Sequence, residues 1–223
     1  MIILGLTGSI GMGKSTAAAM LRRLGLPLFD ADAVVHQLLG RGGAAVRQVE
    51  AAFPGVCIEA GGIDRQRLGP LVFGHPEALR RLEGILHPMV RAAERRFVAR
   101  ARARREKLIV LDIPLLYETR GTGRCDFVLV VSAPARLQRE RVMRRRGMSA
   151  QRFAEILRAQ LPDSEKRRRA TISVSTNGQA SADRPRRASS ALMKARSNSA
   201  LWMTSRSPAT NVASSSAMSA NGG

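Results

Sequence analysis

The stretch GSIGMGKS, Gly8 to Ser15, fits the spacing GxxxxGK[ST] at every position and follows the apolar run IILGLT, residues 2–7. That spacing has a chemical reason. Gly8, Gly11 and Gly13 free the backbone to curl, so that successive N–H groups face phosphate oxygens while a helix starting at Lys14 adds its positive end. Gly11, Met12, Gly13, Lys14, Ser15 and Thr16 therefore form the expected nucleotide site: Lys14 reaches the β- and γ-phosphates, Ser15 offers a hydroxyl to Mg²⁺, and Thr16 adds another. Strand, loop and helix in this order predict an α/β fold.

Outward from the loop, LPLF (26–29), LIVLDI (108–113) and FVLVVS (127–132) are short aliphatic runs bounded by turn or charged residues, as buried parallel strands are. Helical spacing links them. Residues 14–24 place apolar side chains at 17, 18, 21 and 24 before Gly25, and 77–105 carry a stripe from Leu79 to Phe97 that Pro88 is expected to break or kink near His87. Two more helices are expected over 135–146 and 149–161, the second capped by Ser149. The span between the second and third strands exceeds a simple crossover. It predicts one α/β domain over 1–170, with a core at 1–32 and 106–134, a helical insertion at about 33–105 and a second, mobile Arg-rich element at about 135–165.

Residues 171–223 change regime: they are Ser-rich and hold a single acid, Asp183, so they read as a low-complexity, disordered tail. The whole chain has 37 Lys and Arg against 17 Asp and Glu, a net charge of +20 that favours anionic partners. Nucleic acid is one such partner, but 6 Phe, 1 Tyr and 1 Trp supply few stacking groups and no binding module is seen. Cys57 and Cys125 show no zinc or disulfide spacing, and neither a signal peptide nor a membrane span is indicated, so a cytoplasmic location is expected. A phosphate loop alone leaves GTP switches, mechanical ATPases and small-molecule kinases open. No NKxD guanine motif is visible, and the short chain with its insertion and Arg-rich segment suits a small-molecule kinase.

Five segments in order, GLTGSIGMGKST (5–16), FDADAVVHQLL (29–39), LHP (86–88), VLDIPLLYE (110–118) and QRERVMRRRGMSAQRFAEILRAQ (138–160), resemble the dephospho-coenzyme A kinase family. The resemblance implies a P-loop NTPase fold with a parallel five-stranded core sheet, a helical acceptor domain and a lid. It also implies transfer of the γ-phosphate of MgATP to the ribose 3′-hydroxyl of dephospho-CoA, by a chain expected to act as a monomer with ATP and dephospho-CoA as its partners. A ribose hydroxyl needs a positioned base, and Asp32 is assigned that role. Alternation along an extended segment sends Asp30 to the opposite side, where it orients the loop, bonds the acceptor or caps a helix before Ala33. Thr7, His36, His87, Leu115 and Glu118 are the remaining acceptor candidates. Asp112, ending a strand, is the expected Mg²⁺ carboxylate, together with Ser15. In the lid, Gln138, Arg141 and Arg145 fall at spacings of three and four on one helix face, and Arg141 and Arg145 are expected at the transferring phosphoryl group.

The likeness stops after RRRA. An acid-led strand and a closing helix are expected there, and TISVSTNGQASADRPRRASS follows instead, which points to an altered reading frame near residue 170. TISVS still alternates as a fifth strand must.

Overall fold

The four apolar runs become β1 (Ile2–Thr7), β2 (Leu28–Asp30), β3 (Leu108–Asp112) and β4 (Phe127–Ser132) in a computed structural model that describes residues 1–176. TISVS supplies β5 (Ile172–Ser175), so the first residues beyond position 170 complete the sheet. The remainder of the expected tail lies outside the described residues. Every pairing is parallel, in the order β2-β3-β1-β4-β5. Alternation divides the aliphatic side chains between two faces. Ile109 and Leu111 of β3 join Phe29, Val128 and Val130 against Val90, Phe97 and Ala101 of a long helix, while Val110 joins Leu4, Leu6 and Val131 against Ala18 and Leu21. Helices α1 (Lys14–Arg23) and α5 (Pro76–Ala103) thus cover opposite faces.

The insertion consists of α2 (Ala31–Leu39), α3 (Val46–Ala52), α4 (Arg65–Val72) and most of α5, around a core of its own that includes Leu39, Val49, Val56, Leu68, Leu82 and Leu86. Pro88 does not break α5, which runs unbroken for 28 residues. The residue four before Pro88 is Gly84, and open space surrounds it. A proline ring that would press on that carbonyl finds the most pliable residue there, and tertiary packing on both sides of Pro88 outweighs the single lost hydrogen bond.

Helix α6 (Ala135–Met143) stops short of the expected 146, turning through Gly147 at φ +71°. Helix α7 (Ala150–Ala159) starts as expected, with the Ser149 hydroxyl accepting the Arg152 amide at 3.1 Å. A further helix, α8 (Asp163–Arg169), follows; its sequence DSEKRRR has no apolar stripe, but acids in its first turn and bases in its last suit the helix dipole. Cys57 and Cys125 are free thiols. Among the described residues no helix is long and apolar enough to cross a membrane.

Candidate active site

Parallel register brings the ends of β1, β2 and β3 level: Asp112 pairs with Leu6 on one side and with Asp30 on the other. The phosphate loop leaves β1 at this edge, with Gly11 at φ +76° and Gly13 at φ +92°, conformations that favour glycine. Helix α1 begins immediately afterwards, leaving Ser15 and Thr16 exposed in its first turn. Lys14 swings back over the edge and places its Nζ 2.8 Å from Asp112 Oδ1. Burial lifts the Asp112 carboxyl above its usual value against the pull of Lys14, and the charges of Asp30 and Asp32 push in the same direction as burial. One cation and three carboxylates thus converge where an open parallel sheet binds ligands.

The two acids of the FDAD segment differ in placement, although not through strand alternation. The chain turns helical at Ala31, so Asp30 is the N-cap of α2 and Asp32 lies in its first turn. Asp30 accepts the Ala33 amide at 2.9 Å and the Arg22 guanidinium at 3.0 Å. Burial raises its carboxyl, but the amide, Arg22 and Lys14 outweigh that and hold it below the usual value. Asp32 is exposed, and His36, one turn further along α2, is exposed as well. His87 is exposed midway along α5. Thr7 is fully buried and its hydroxyl donates to Pro114 O at 2.8 Å, tying the end of β1 to the segment after β3. In that segment Leu116 is fully buried whereas Leu115 remains exposed. The buried Tyr117 hydroxyl has no hydrogen-bond partner among the described residues, and burial pushes it up to about 12. Glu118 is held within the protein: its Oε1 accepts the Leu161 amide at 2.9 Å and stands 2.9 Å from Lys166 Nζ.

Of the two arginines expected in the lid, α6 carries one. Arg141 donates to Thr176 Oγ1 at 2.8 Å and to Thr176 O at 3.2 Å, and approaches Gly11 O at 3.5 Å. Arg145 does not share its face, because the helix has ended at Met143 and Arg145 is exposed in the turn. Gln138, buried, donates its Nε2 to Ile10 O at 2.8 Å. The Met12 side chain is buried and its sulfur accepts the Ala133 amide. A hollow of about 420 Å³ beside the loop is lined by Met12, Ser132, Pro134, Gln138, Asp163 and Arg167, among others. A second of about 590 Å³, around Phe53, Leu71, His75 and Arg81, belongs to the insertion and holds no loop residue.

Three participants escaped the sequence reading. Gln160 accepts the Ile10 amide at 3.1 Å, Thr176 donates its hydroxyl to Met12 O at 3.0 Å, and Lys166 is fully buried against Glu118. Lys166 opens a run of four basic residues and has no local mark that separates it from the exposed three. The glycines also do more than curl the loop. A Cβ on Gly11 would stand 2.6 Å from Val142 Cγ2, and one on Gly13 would stand 2.9 Å from Thr176 Cγ2.

Comparison with known proteins identifies the family. The dephospho-CoA kinase family model matches residues 2–182. A dephospho-CoA kinase of Paramagnetospirillum magneticum is 64% identical over 167 residues, covering 75% of this chain and 78% of that protein. Among solved structures, TT1252 from Thermus thermophilus shares 36% identity at a TM-score of 0.68 over 92% of this chain and 98% of that one. Dephospho-CoA kinase from Campylobacter jejuni shares 26% identity at a TM-score of 0.54, over 79% and 89%.

Proposed function

The chain belongs to the dephospho-CoA kinase family, and from that premise we propose how its residues move the γ-phosphate of ATP to the ribose 3′-hydroxyl of dephospho-CoA. The observation that carries the reading is the convergence of Lys14, Asp112, Asp30 and Asp32 at the carboxyl edge of the sheet beside the phosphate loop. The loop amides and Lys14 hold the β- and γ-phosphates, with Lys14 exchanging Asp112 for phosphate oxygen. Asp32, exposed and free of the capping duty that occupies Asp30, takes the proton of the acceptor hydroxyl as that oxygen attacks phosphorus and the bond to ADP breaks. Arg141 supports the charge that spreads over the transferring oxygens.

Asp112 and Ser15 are hard oxygen donors beside the loop and fit Mg²⁺, which takes few protein ligands and completes its shell with water and phosphate. When bound it neutralises charge on the phosphates. The hollow beside Met12, Ser132 and Pro134 suits the adenosine end of ATP. On the acceptor side, His36 and His87 are exposed on α2 and α5, and Leu115 is exposed after β3, so they are available to dephospho-CoA. Thr7 and Glu118 act there by fixing backbone rather than by direct contact. The same reading places the enzyme in the cytoplasm.

A coupled assay of ADP release tests this. Release should require dephospho-CoA, and Asp32→Asn should lower turnover by about 10²–10⁴-fold at similar ATP KM. Undiminished turnover in that variant overturns the base assignment, and release with adenosine but not with dephospho-CoA overturns the choice of acceptor.

A further inference from the structure

The lid meets the phosphate loop at one residue from both of its ends. Gln138, in the first of the two lid helices, donates to the carbonyl of Ile10, and Gln160, directly after the second, accepts the amide of the same residue. Ile10 therefore has both backbone groups held by lid side chains rather than by its own loop. The chemistry fixes the orientation of each glutamine amide, because a backbone N–H only donates and a carbonyl only accepts. Gln138 must present nitrogen and Gln160 must present oxygen. The next loop residue, Gly11, leaves no room for a Cβ against Val142 and Gln138 of α6, and its carbonyl is approached by Arg141. A further tie secures the far root of the lid: Leu161, adjacent to Gln160, donates to Glu118.

We propose that Gln138 and Gln160 are positioning residues that seat the lid on the phosphate loop through the two backbone groups of Ile10, and thereby set where Arg141 stands relative to the transferring phosphoryl group. The inference rests on the phosphotransferase reading above. It differs from a packing role because it assigns opposite polarity to two like side chains. A seat one residue away from phosphate-binding amides also links a filled loop to a placed lid, since Ile10 cannot shift without carrying both glutamines.

The opposite polarity supplies the test. In the full chain, Q160E keeps an acceptor for the Ile10 amide, whereas Q160L removes it; Q138E turns a donor into an acceptor facing a carbonyl. With ATP and dephospho-CoA, Q160L should lose about tenfold in kcat and Q138E about a hundredfold, while Q160E should stay within about threefold of the parent chain. Protonation restores a donor to Q138E, so its turnover relative to the parent should rise as the pH is lowered from about 8.5 to about 6, a trend that a packing defect does not produce. Tryptic cleavage at Arg144–Arg146 with ATP alone gives a readout independent of the acceptor: Q160L and Q138E should be cut faster than the parent, and Q160E should be cut at nearly the parental rate. Equal behaviour of Q138E and Q160E, or parental turnover and cleavage in Q160L, overturns the proposal. Should Q138E not fold, the Q160E and Q160L pair decides alone. If the parent chain fails with dephospho-CoA, the phosphotransferase reading falls, and the cleavage pattern still decides whether the lid is seated through Ile10.

Discussion

Two lysines of this chain each hold a carboxylate at almost the same distance, Lys14 to Asp112 at 2.8 Å and Lys166 to Glu118 at 2.9 Å, yet their surroundings separate them. Lys14 sits at the open edge of the sheet beside the loop that receives phosphate, its side chain 16% exposed over an Asp112 that is 4% exposed. Lys166 is sealed at 0%, and it is its partner Glu118 that reaches solvent, at 17%. In the function proposed above, Lys14 can trade its carboxylate for an incoming anion and so serves chemistry, whereas Lys166, which cannot leave, serves architecture. Among the described residues, Lys166 also makes no well-aligned hydrogen bond despite its closeness to Glu118. It acts as a plain charge neutraliser, and its ammonium is costly if left alone.

The widest break in the comparison is expected from Lys14→Ala. Turnover in the dephospho-CoA-dependent assay should fall by about 10²–10³-fold, the scale on which a single group stabilising transferring charge acts. The melting temperature should move much less. Asp112 loses its partner, but burial already raises its affinity for a proton and the edge is open, so it can neutralise itself. A large drop in melting temperature with parental turnover would exchange the roles of the two lysines.

Lys166→Met is expected to reverse the pattern. Glu118 keeps the Leu161 amide but loses its counter-charge, and breaking a buried pair from one side costs about 3 kcal/mol. For a chain of this size that corresponds to a fall in melting temperature of about 6–12 °C. Adding Glu118→Gln should recover part of the loss, because the stranded charge then disappears while an acceptor for Leu161 remains. A double variant no more stable than Lys166→Met would show that Lys166 contributes through its packed stem rather than its charge.

The same contrast explains what could be read from sequence. The Lys14 side of the molecule was legible because its parts are local: an aliphatic strand, a loop of fixed spacing and a helix follow one another over residues 2–23. β3 announced Asp112 by ending in it. The Lys166 pair and the lid instead rest on contacts between residues far apart in the chain, Glu118 with Leu161, Gln160 with Ile10, Arg141 with Thr176, and no periodicity marks such partners. Local rules also failed wherever the chain changed state sooner than the pattern did. Asp32 left the strand for α2, so two-residue alternation no longer applied, and Arg145 left α6, so helical spacing no longer joined it to Arg141. Pro88 shows the reverse case, in which a strong local rule yields to a helix packed along its length with a glycine at the one position the ring would strain.

The smallest expected effect sharpens the comparison through pH. Burial raises the Asp112 carboxyl even with Lys14 beside it, so the folded chain holds that proton more tightly than the unfolded chain does. A carboxyl raised on folding contributes stability below its ordinary range, and that contribution is lost as the pH climbs through its folded value. Asp112→Asn cannot ionise and keeps an oxygen for Lys14. It should therefore gain on the parent chain in melting temperature as the pH rises from about 4 to about 7, by a modest margin because Lys14 opposes burial. The sign is diagnostic. If the variant instead loses ground over that interval, the ionised pair with Lys14 stabilises the fold outright. The Lys14 pair would then be architectural in the same sense as the Lys166 pair, and its availability to phosphate would have to come from the ligand overcoming a stable bond rather than relieving a strained one.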